Sequence, residues 1–315
     1  MALLNMFGSK PPQQGDTPVV KVAVIGISTA GKTYLLNAIH RLIFGGITFG
    51  KIRLGALSAE DTTVKFNQIQ ENINLMQKVP LPGTAIKYDF DFRMLYQVTP
   101  VLRIVYHDSV GQILTDSDPK RNPSRNEFLK TLSQANIVWL LLPMQVDKEG
   151  RYLGISQKDI WLATGYLQDA LQNRTNPLAF AILLTKADVL EDPEQEKSRK
   201  ALHSLHTELK EAFEWLIGCD FVSDSVLFPI SALGFGNTKF VASEENDHET
   251  GTYLLSGTDL KPYNVKKLLL WSLYCGVHYQ NLSSSGPKVD DVVRREISSH
   301  LQQLDGLFYP LKGEN

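Results

Sequence analysis

The sequence predicts a three-layer α/β fold built on a mostly parallel sheet, and three observations carry that prediction. Short aliphatic and β-branched runs recur along the 315 residues: VVKVAVIG, NIVWLLLP, PLAFAILL and SVLFPIS. Each is apolar almost throughout, as strands buried on both faces are. Helical segments separate them, and alternation of strand and helix is the pattern of a parallel sheet with helices on both faces. The first run also passes through a glycine-rich loop straight into a helix, with Leu35, Leu36, Ile39, Leu42 and Ile43 along one side.

Composition narrows the function classes. Hydrophobic residues make up 43% and charged residues 21%, as in ordinary globular chains. Thirty-two basic residues against thirty-four acidic ones leave a net charge of −2, which disfavours blanket binding to nucleic acid. Two cysteines, Cys219 and Cys275, can neither staple the fold nor fill a four-ligand zinc site, and read as small buried hydrophobes in a reducing compartment. No apolar run reaches the roughly 18 to 20 residues that span a bilayer. The start, MALLNMFGSKPP, lacks the charged beginning and long apolar core of a secretory signal. A cytoplasmic protein without a transmembrane segment is expected.

In chain order, residues 1–18 read as a flexible lead rich in Gly, Pro and Gln. The main domain spans 19–280, with insertions at 44–83 and 235–260. Within the first insertion lie a turn-rich piece (GGITFG) and a helix near 59–78, ending before Pro80 and Pro82. Two strands follow at 85–92 and 100–107. In the first, Ile86, Tyr88, Phe90 and Phe92 alternate with charged residues, so the pair reads as one antiparallel hairpin. A polar loop with Pro119 and Pro123 leads to a helix at 124–135. Further helices are expected at 157–172, 194–217 and 262–279, the last apolar nearly all round. The insertion at 235–260, with Glu244, Glu245 and Asp247, reads as a solvated loop. Residues 281–287 read as a linker. The C-terminal stretch has Val289, Val293, Ile297, Leu301, Leu304 and Phe308 at helical spacing, an amphipathic helix that either docks back or meets a partner.

The chemistry starts at Gly26-Ile27-Ser28-Thr29-Ala30-Gly31-Lys32-Thr33, which fits G-x-x-x-x-G-K-[ST] between a strand and a helix. Backbone N–H groups of such a loop, from Ser28 through Thr33, point at an anion, and the helix N-terminus adds favourable potential. Lys32 reaches the β- and γ-phosphates, and the Thr33 hydroxyl suits magnesium, a hard cation that prefers oxygen. Three later motifs choose the base. Asp108-Ser109-Val110-Gly111 places a carboxylate for the magnesium shell at a strand end, then a glycine N–H for a γ-phosphate. Thr185-Lys186-Ala187-Asp188 follows PLAFAILL. The Asp188 carboxylate can accept two N–H bonds from guanine, and adenine presents no such pair. Lys186 is expected to lie over the base and brace the phosphate loop. Ser231-Ala232-Leu233 follows SVLFPI and turns backbone N–H groups toward the guanine carbonyl.

The four motifs in this order, each at a strand end, resemble the G domain of the translation-factor-related (TRAFAC) P-loop GTPases, the class that includes Ras-like proteins; the match covers about residues 19–280. The resemblance implies Mg2+, GTP and GDP as ligands. It implies a switch threonine before the first hairpin strand, a place held by Thr84 in PLPGT, with Thr62 and Thr63 as rivals. It also implies that Gln112, next to Gly111, orients the attacking water, as an amide that donates and accepts at once can do. Lys32, Thr84 and Gln112 are then the catalytic set, and Thr33, Thr84 and Asp108 the metal set. The long 44–83 segment, GKTYLLNAI, PLPGT and NVKKLLLW are similar to a bacterial group, the double-GTPase or conflict-system GTPases, which implies companion proteins.

The pattern also departs from the family. Ser28 stands where Ras-like proteins keep a glycine that admits an activator's arginine. Thr185 replaces the commoner asparagine. No arginine lies between Gly55 and Thr84, so a built-in arginine finger, worth about a thousandfold or more in turnover, is missing there. Slow intrinsic hydrolysis and a partner-regulated switch are expected. The alternatives are an assembling or mechanochemical GTPase activated by self-association, as a homo-oligomer, and a nucleotide-gated binding module with negligible turnover.

Overall fold

The structure, a computed structural model, describes residues 17–26, 30–56, 71, 89–108, 123–146, 152–190, 195–235, 238–242, 251–255, 261–282, 289–304 and 308–312. In chain order its elements are β1 (Val19–Gly26), α1 (Lys32–Phe44), β2 (Thr48–Phe49), β3 (Ile52–Ala56), β4 (Asp89–Tyr96), β5 (Thr99–Asp108), α2 (Pro123–Gln134), β6 (Ile137–Pro143), β7 (Gln145–Val146), β8 (Tyr152–Gly154) and α3 (Gln157–Leu171). They continue with β9 (Leu178–Thr185), α4 (Glu196–Ala212), α5 (Glu214–Ile217), β10 (Val222–Pro229), β11 (Thr238–Ala242), β12 (Gly251–Leu255), α6 (Val265–Leu282), α7 (Asp291–Gln303) and β13 (Tyr309–Pro310).

The main sheet runs β13-β10-β9-β6-β1-β5-β4-β3-β2. Strands β5, β1, β6, β9 and β10 are parallel. The fold class is the expected one, a mostly parallel sheet with helices on both faces and a hairpin, β4–β5, at one side. The two faces hold separate cores, because successive side chains of a strand point to opposite sides. Val20, Val22 and Val24 of β1 pack with Leu35 and Ile39 of α1, Leu269 and Leu273 of α6, and Val293 and Ile297 of α7. Ala23 and Ile25 face the other way, onto Phe128 and Leu132 of α2 and a core completed by α3, α4 and α5. Helix α6 is buried on several sides, as its all-round apolar sequence required.

Several expected boundaries shift. The first hairpin strand, described over Asp89–Tyr96, runs past the expected end at 92, because the alternation of Phe92 and Met94 continues to a turn at Gln97 and Val98. Residues 85–88 and most of the helix expected near 59–78 lie outside the described residues. The turn-rich piece after α1 supplies the strand β2, and the residues just beyond it supply β3, both antiparallel to their neighbours. The helix expected over 194–217 breaks at Phe213, whose φ of −108° leaves helical geometry while its ring stays buried. The 235–260 insertion contains the hairpin β11–β12 rather than loop alone. Helix α6 runs to Leu282, into the expected linker.

The C-terminal helix docks on the same body. Glu296 of α7 accepts the Lys51 backbone N–H at 2.7 Å and the Tyr96 hydroxyl at 3.3 Å. Beyond α7, β13 pairs antiparallel with β10, and Leu311 is buried.

Under α6, at the start of β10, the Asp224 carboxyl is pushed up by burial, against bonds from Ser225, Trp271 and Cys275 and the nearby His278. A carboxyl raised in the folded state favours folding below the ordinary carboxylate range, and that contribution is lost as pH rises through the raised value. Asp224→Asn is neutral at every pH. Its melting temperature is therefore expected to exceed that of the parent at neutral pH, with the gap closing below about pH 4. Thermal melts across pH check this; a gap independent of pH would show that ionisation is not the cause.

Candidate functional site

The motifs meet along one edge of the sheet. In register, Val24 pairs with Asp108, Gly26 with Leu141, Pro143 with Thr185, and Leu184 with Pro229. The C-terminal ends of β5, β1, β6, β9 and β10 therefore lie side by side. The edge opens around β1, where the chain first adds β5 on one side and later β6 on the other. Open α/β sheets bind ligands at such a switch point.

Gly31 is the N-cap of α1 with φ +80°, a left-handed conformation that side chains resist, so the loop can turn into the helix at this point. Its carbonyl accepts the Leu35 N–H at 3.0 Å. Lys32 begins the helix, is buried, and donates from Nζ to the Gly26 carbonyl at 2.7 Å. Thr33 follows on the first turn, half-buried. Ala30 is buried, and its carbonyl accepts the Thr185 hydroxyl at 2.7 Å. That bond ties the loop after β1 to the end of β9. Thr185 thus braces this loop directly, a role the sequence suggests for Lys186.

Lys186 adopts φ +59°, uncommon for a residue with a side chain and concentrated at functional sites. Burial pulls its ammonium below the usual lysine range, with the Asp188 carboxylate pushing the other way. The turn of 3-10 helix Ala187–Leu190 carries Asp188. Asp188 Oδ1 accepts the Ser231 hydroxyl at 2.8 Å, and Ser231 Oγ in turn accepts the Gly234 N–H at 2.9 Å. Ala232 and Leu233 lie between them, half-buried.

Sequence reasoning missed the buttress behind this turn. The Tyr263 N–H donates to the Ser231 carbonyl at 2.8 Å, and Asn264 Nδ2 donates to the Pro229 carbonyl at 2.8 Å. Phe235 meets Tyr263 edge to face, centroids 5.0 Å apart. The available signals were Gly234 closing Ser231-Ala232-Leu233, and Asn264 just before a helix.

Ser28, Thr29, Thr84, Gly111 and Gln112 lie outside the described residues, as do Thr62 and Thr63. For Asp108 the backbone position at the end of β5 is given, and its side chain lies outside the description. Among the described residues no group of three or more His, Cys, Asp or Glu gathers to hold a metal. The Thr33 hydroxyl, on the first turn of α1, is an oxygen donor of the kind that magnesium prefers. Among the described residues, no helix is long and apolar enough to cross a membrane.

No protein-family model matches the chain, and no curated protein matches it. Among solved structures, the Ski7 GTPase-like domain of S. cerevisiae bound to GTP is similar, at 17% identity over 75% of this chain and 48% of that one, with a TM-score of 0.42. The same domain bound to GDP and inorganic phosphate gives 14% identity, the same coverage and a TM-score of 0.43. The signal recognition particle receptor SRb-GTP/SRX complex from Chaetomium thermophilum gives 19% identity over 70% of this chain and 94% of that one, with a TM-score of 0.37. The chain spans about half the length of the two Ski7 chains it matches.

Proposed function

We propose that the protein binds GTP and GDP at this sheet edge, hydrolyses GTP slowly with Mg2+, and acts as a switch regulated by a protein partner. The observation that carries the reading is the bond from Thr185 to the Ala30 carbonyl, which joins a phosphate loop to a loop bearing Asp188. One bond thereby couples the place for phosphates to the place for the base.

On this reading the backbone of 26–33 wraps the phosphates, and Lys32 Nζ turns from the Gly26 carbonyl to the β- and γ-oxygens. Thr33 and Asp108, with Thr84, would hold magnesium, which supplies charge neutralisation on the phosphate oxygens. Gly111 donates its N–H to the γ-phosphate, and Gln112 orients water by donating and accepting together. Asp188, steered by Ser231, accepts the guanine N–H pair, and the turn Ser231-Ala232-Leu233 meets the guanine carbonyl.

Titrating the protein with fluorescent GDP, GTP, ADP and ATP, with and without Mg2+, tests the reading. Guanine preference is expected, and Asp188→Asn should erase most of it, a loss of about a hundredfold or more when the pair of acceptors no longer matches. A single-turnover rate well below about one per second is expected without a partner. Equal or preferential adenine binding would overturn the base assignment and return ATPase and kinase chemistry to consideration.

A further inference from the structure

The second core, covered by α2 to α5, contains no side chain of β3, β4 or β5 among the described residues. These strands nevertheless have that face. By register it carries Arg53, Arg93, Arg103, Leu95 and Val105, with Asp91 opposite Val105 and Asp89 opposite His107 at the far end of the ladder. Arg93 stands directly opposite Arg103 in the β4–β5 ladder, and facing like charges destabilise a sheet. Arg103 is neutralised by Asp91, its Nε donating to Oδ2 at 3.0 Å. Arg93 and Arg53 form no ion pair among the described residues. Arg53 is exposed, and Arg103 stays 46% exposed despite its partner. Between the guanidiniums lie Leu95 and Val105, half-buried and part of neither core; Leu95 rests over the open space at Gly55. Lys21, on β1 beside Val105, extends the positive face.

Three arginines and Lys21 thus share a piece of sheet that neither core of the described residues covers, and two of the arginines face each other at a cost to stability. We propose that this face docks an acidic segment of a partner protein. Carboxylates take Arg53 and Arg93, which present the planar fork that carboxylates match two bonds at a time. Apolar side chains interleaved with those carboxylates cover Leu95 and Val105. Charge complementarity calls for an anionic occupant, and the small number of cations favours an acidic peptide over nucleic acid. Affinity for a phosphate backbone rests on many cation contacts, commonly six to ten, and here one of four cations is already cancelled by Asp91. The large aromatic rings of these strands, Phe92 and Tyr106, are buried in the opposite core and offer no stacking platform. The inference does not depend on the nucleotide reading.

The test is fluorescence anisotropy on the full chain with three probes: a labelled peptide repeating Glu-Leu-Glu-Ser, its Lys-for-Glu counterpart, and a single-stranded DNA oligonucleotide of equal charge. The expected result is binding of the acidic peptide alone, weakened by salt and reduced about tenfold or more in the double variant Arg53→Gln, Arg93→Gln. The single variant Arg93→Gln should melt no lower than the parent, because it removes a like-charge pair. A lower melting temperature would make Arg93 a structural residue and overturn the proposal. So would unchanged peptide binding in the double variant, absence of peptide binding at about 1 mM, or a preference for the oligonucleotide.

Discussion

Lys32→Ala is expected to lower guanine-nucleotide affinity by about two to three orders of magnitude while leaving the fold in place. Truncating one partner of a desolvated charge pair costs about 2–5 kcal/mol, which is roughly thirtyfold to several thousandfold in affinity. Lys32 is 7% exposed, so on the proposed reading its ammonium would meet phosphate with little water to screen it. The stability side is smaller. The variant deprives the Gly26 carbonyl of a donor at 2.7 Å, a loss of about 1 kcal/mol. It also spares the protein a buried ammonium and places the best helix former in the first turn of α1. The two roughly offset, so a melting temperature within a few degrees of the parent is expected. Titration with fluorescent GTP beside a thermal melt checks both halves. A folded variant that binds GTP within threefold of the parent would refute phosphate binding at 26–33. A collapse in melting temperature would instead make Lys32 a structural residue.

The parts of this fold that were legible share a physical cause: their signal is local. VVKVAVIG reads as a doubly buried strand because no polar residue interrupts its core, apart from Lys21, which sits near the strand's start. The loop and α1 follow from glycines and apolar spacing within twenty residues. Elements set by distant contacts were not legible. β2 holds two residues and is held by burial of Phe49 and by pairing with β3, which pairs in turn with β4 some forty residues later. Alternation of Ile52 and Leu54 with Lys51 and Arg53, just after Gly50, was present but too short to stand out among turn residues. The two-residue β13 exists because the end of the chain returns to the edge of β10. The break at Phe213 carries no glycine or proline; burial of its ring under β9, against Phe180 at 5.8 Å, determines it.

The candidate site divides in the same way. Gly31, Lys32, Thr185, Asp188 and Ser231 are findable because their spacing to strand ends is fixed by the chemistry proposed for them. What lies between the motifs is tertiary. Thr185 occupies a position where asparagine is commoner, and read along the chain it looks like a departure. In three dimensions its hydroxyl still reaches a loop 155 residues away. Likewise Ser231 appeared only as a donor of backbone N–H groups, whereas its side chain links Asp188 to Gly234.

Gly234→Ala should have the largest effect on stability of any single methyl added near this site. Gly234 has φ +85°, and a Cβ there would lie 2.3 Å from the Lys261 carbonyl oxygen and 2.9 Å from its carbon. Both obstacles are backbone, so no side-chain rotation relieves them. The left-handed conformation costs a non-glycine residue about 1–2 kcal/mol, and forced displacement of packed backbone about 1–3 more. At roughly 2–4 °C per kcal/mol, the melting temperature should fall by about 5–10 °C or more. Gly165→Ala is the control: it lies mid-helix in α3, with no atom within 4 Å of the added carbon, and should be neutral or slightly stabilising. The damage should also reach the base. Moving Gly234 withdraws its N–H from Ser231 Oγ, and Ser231 is what steers Asp188. The folded fraction of Gly234→Ala, measured well below its melting temperature, should therefore lose guanine preference, in the direction of Asp188→Asn. Lost stability with intact guanine selectivity would separate the two roles and leave Ser231 a purely structural partner of Asp188. An unchanged melting temperature would mean that the 261–264 buttress yields freely, and that the turn after β10 is not held in place as its contacts indicate.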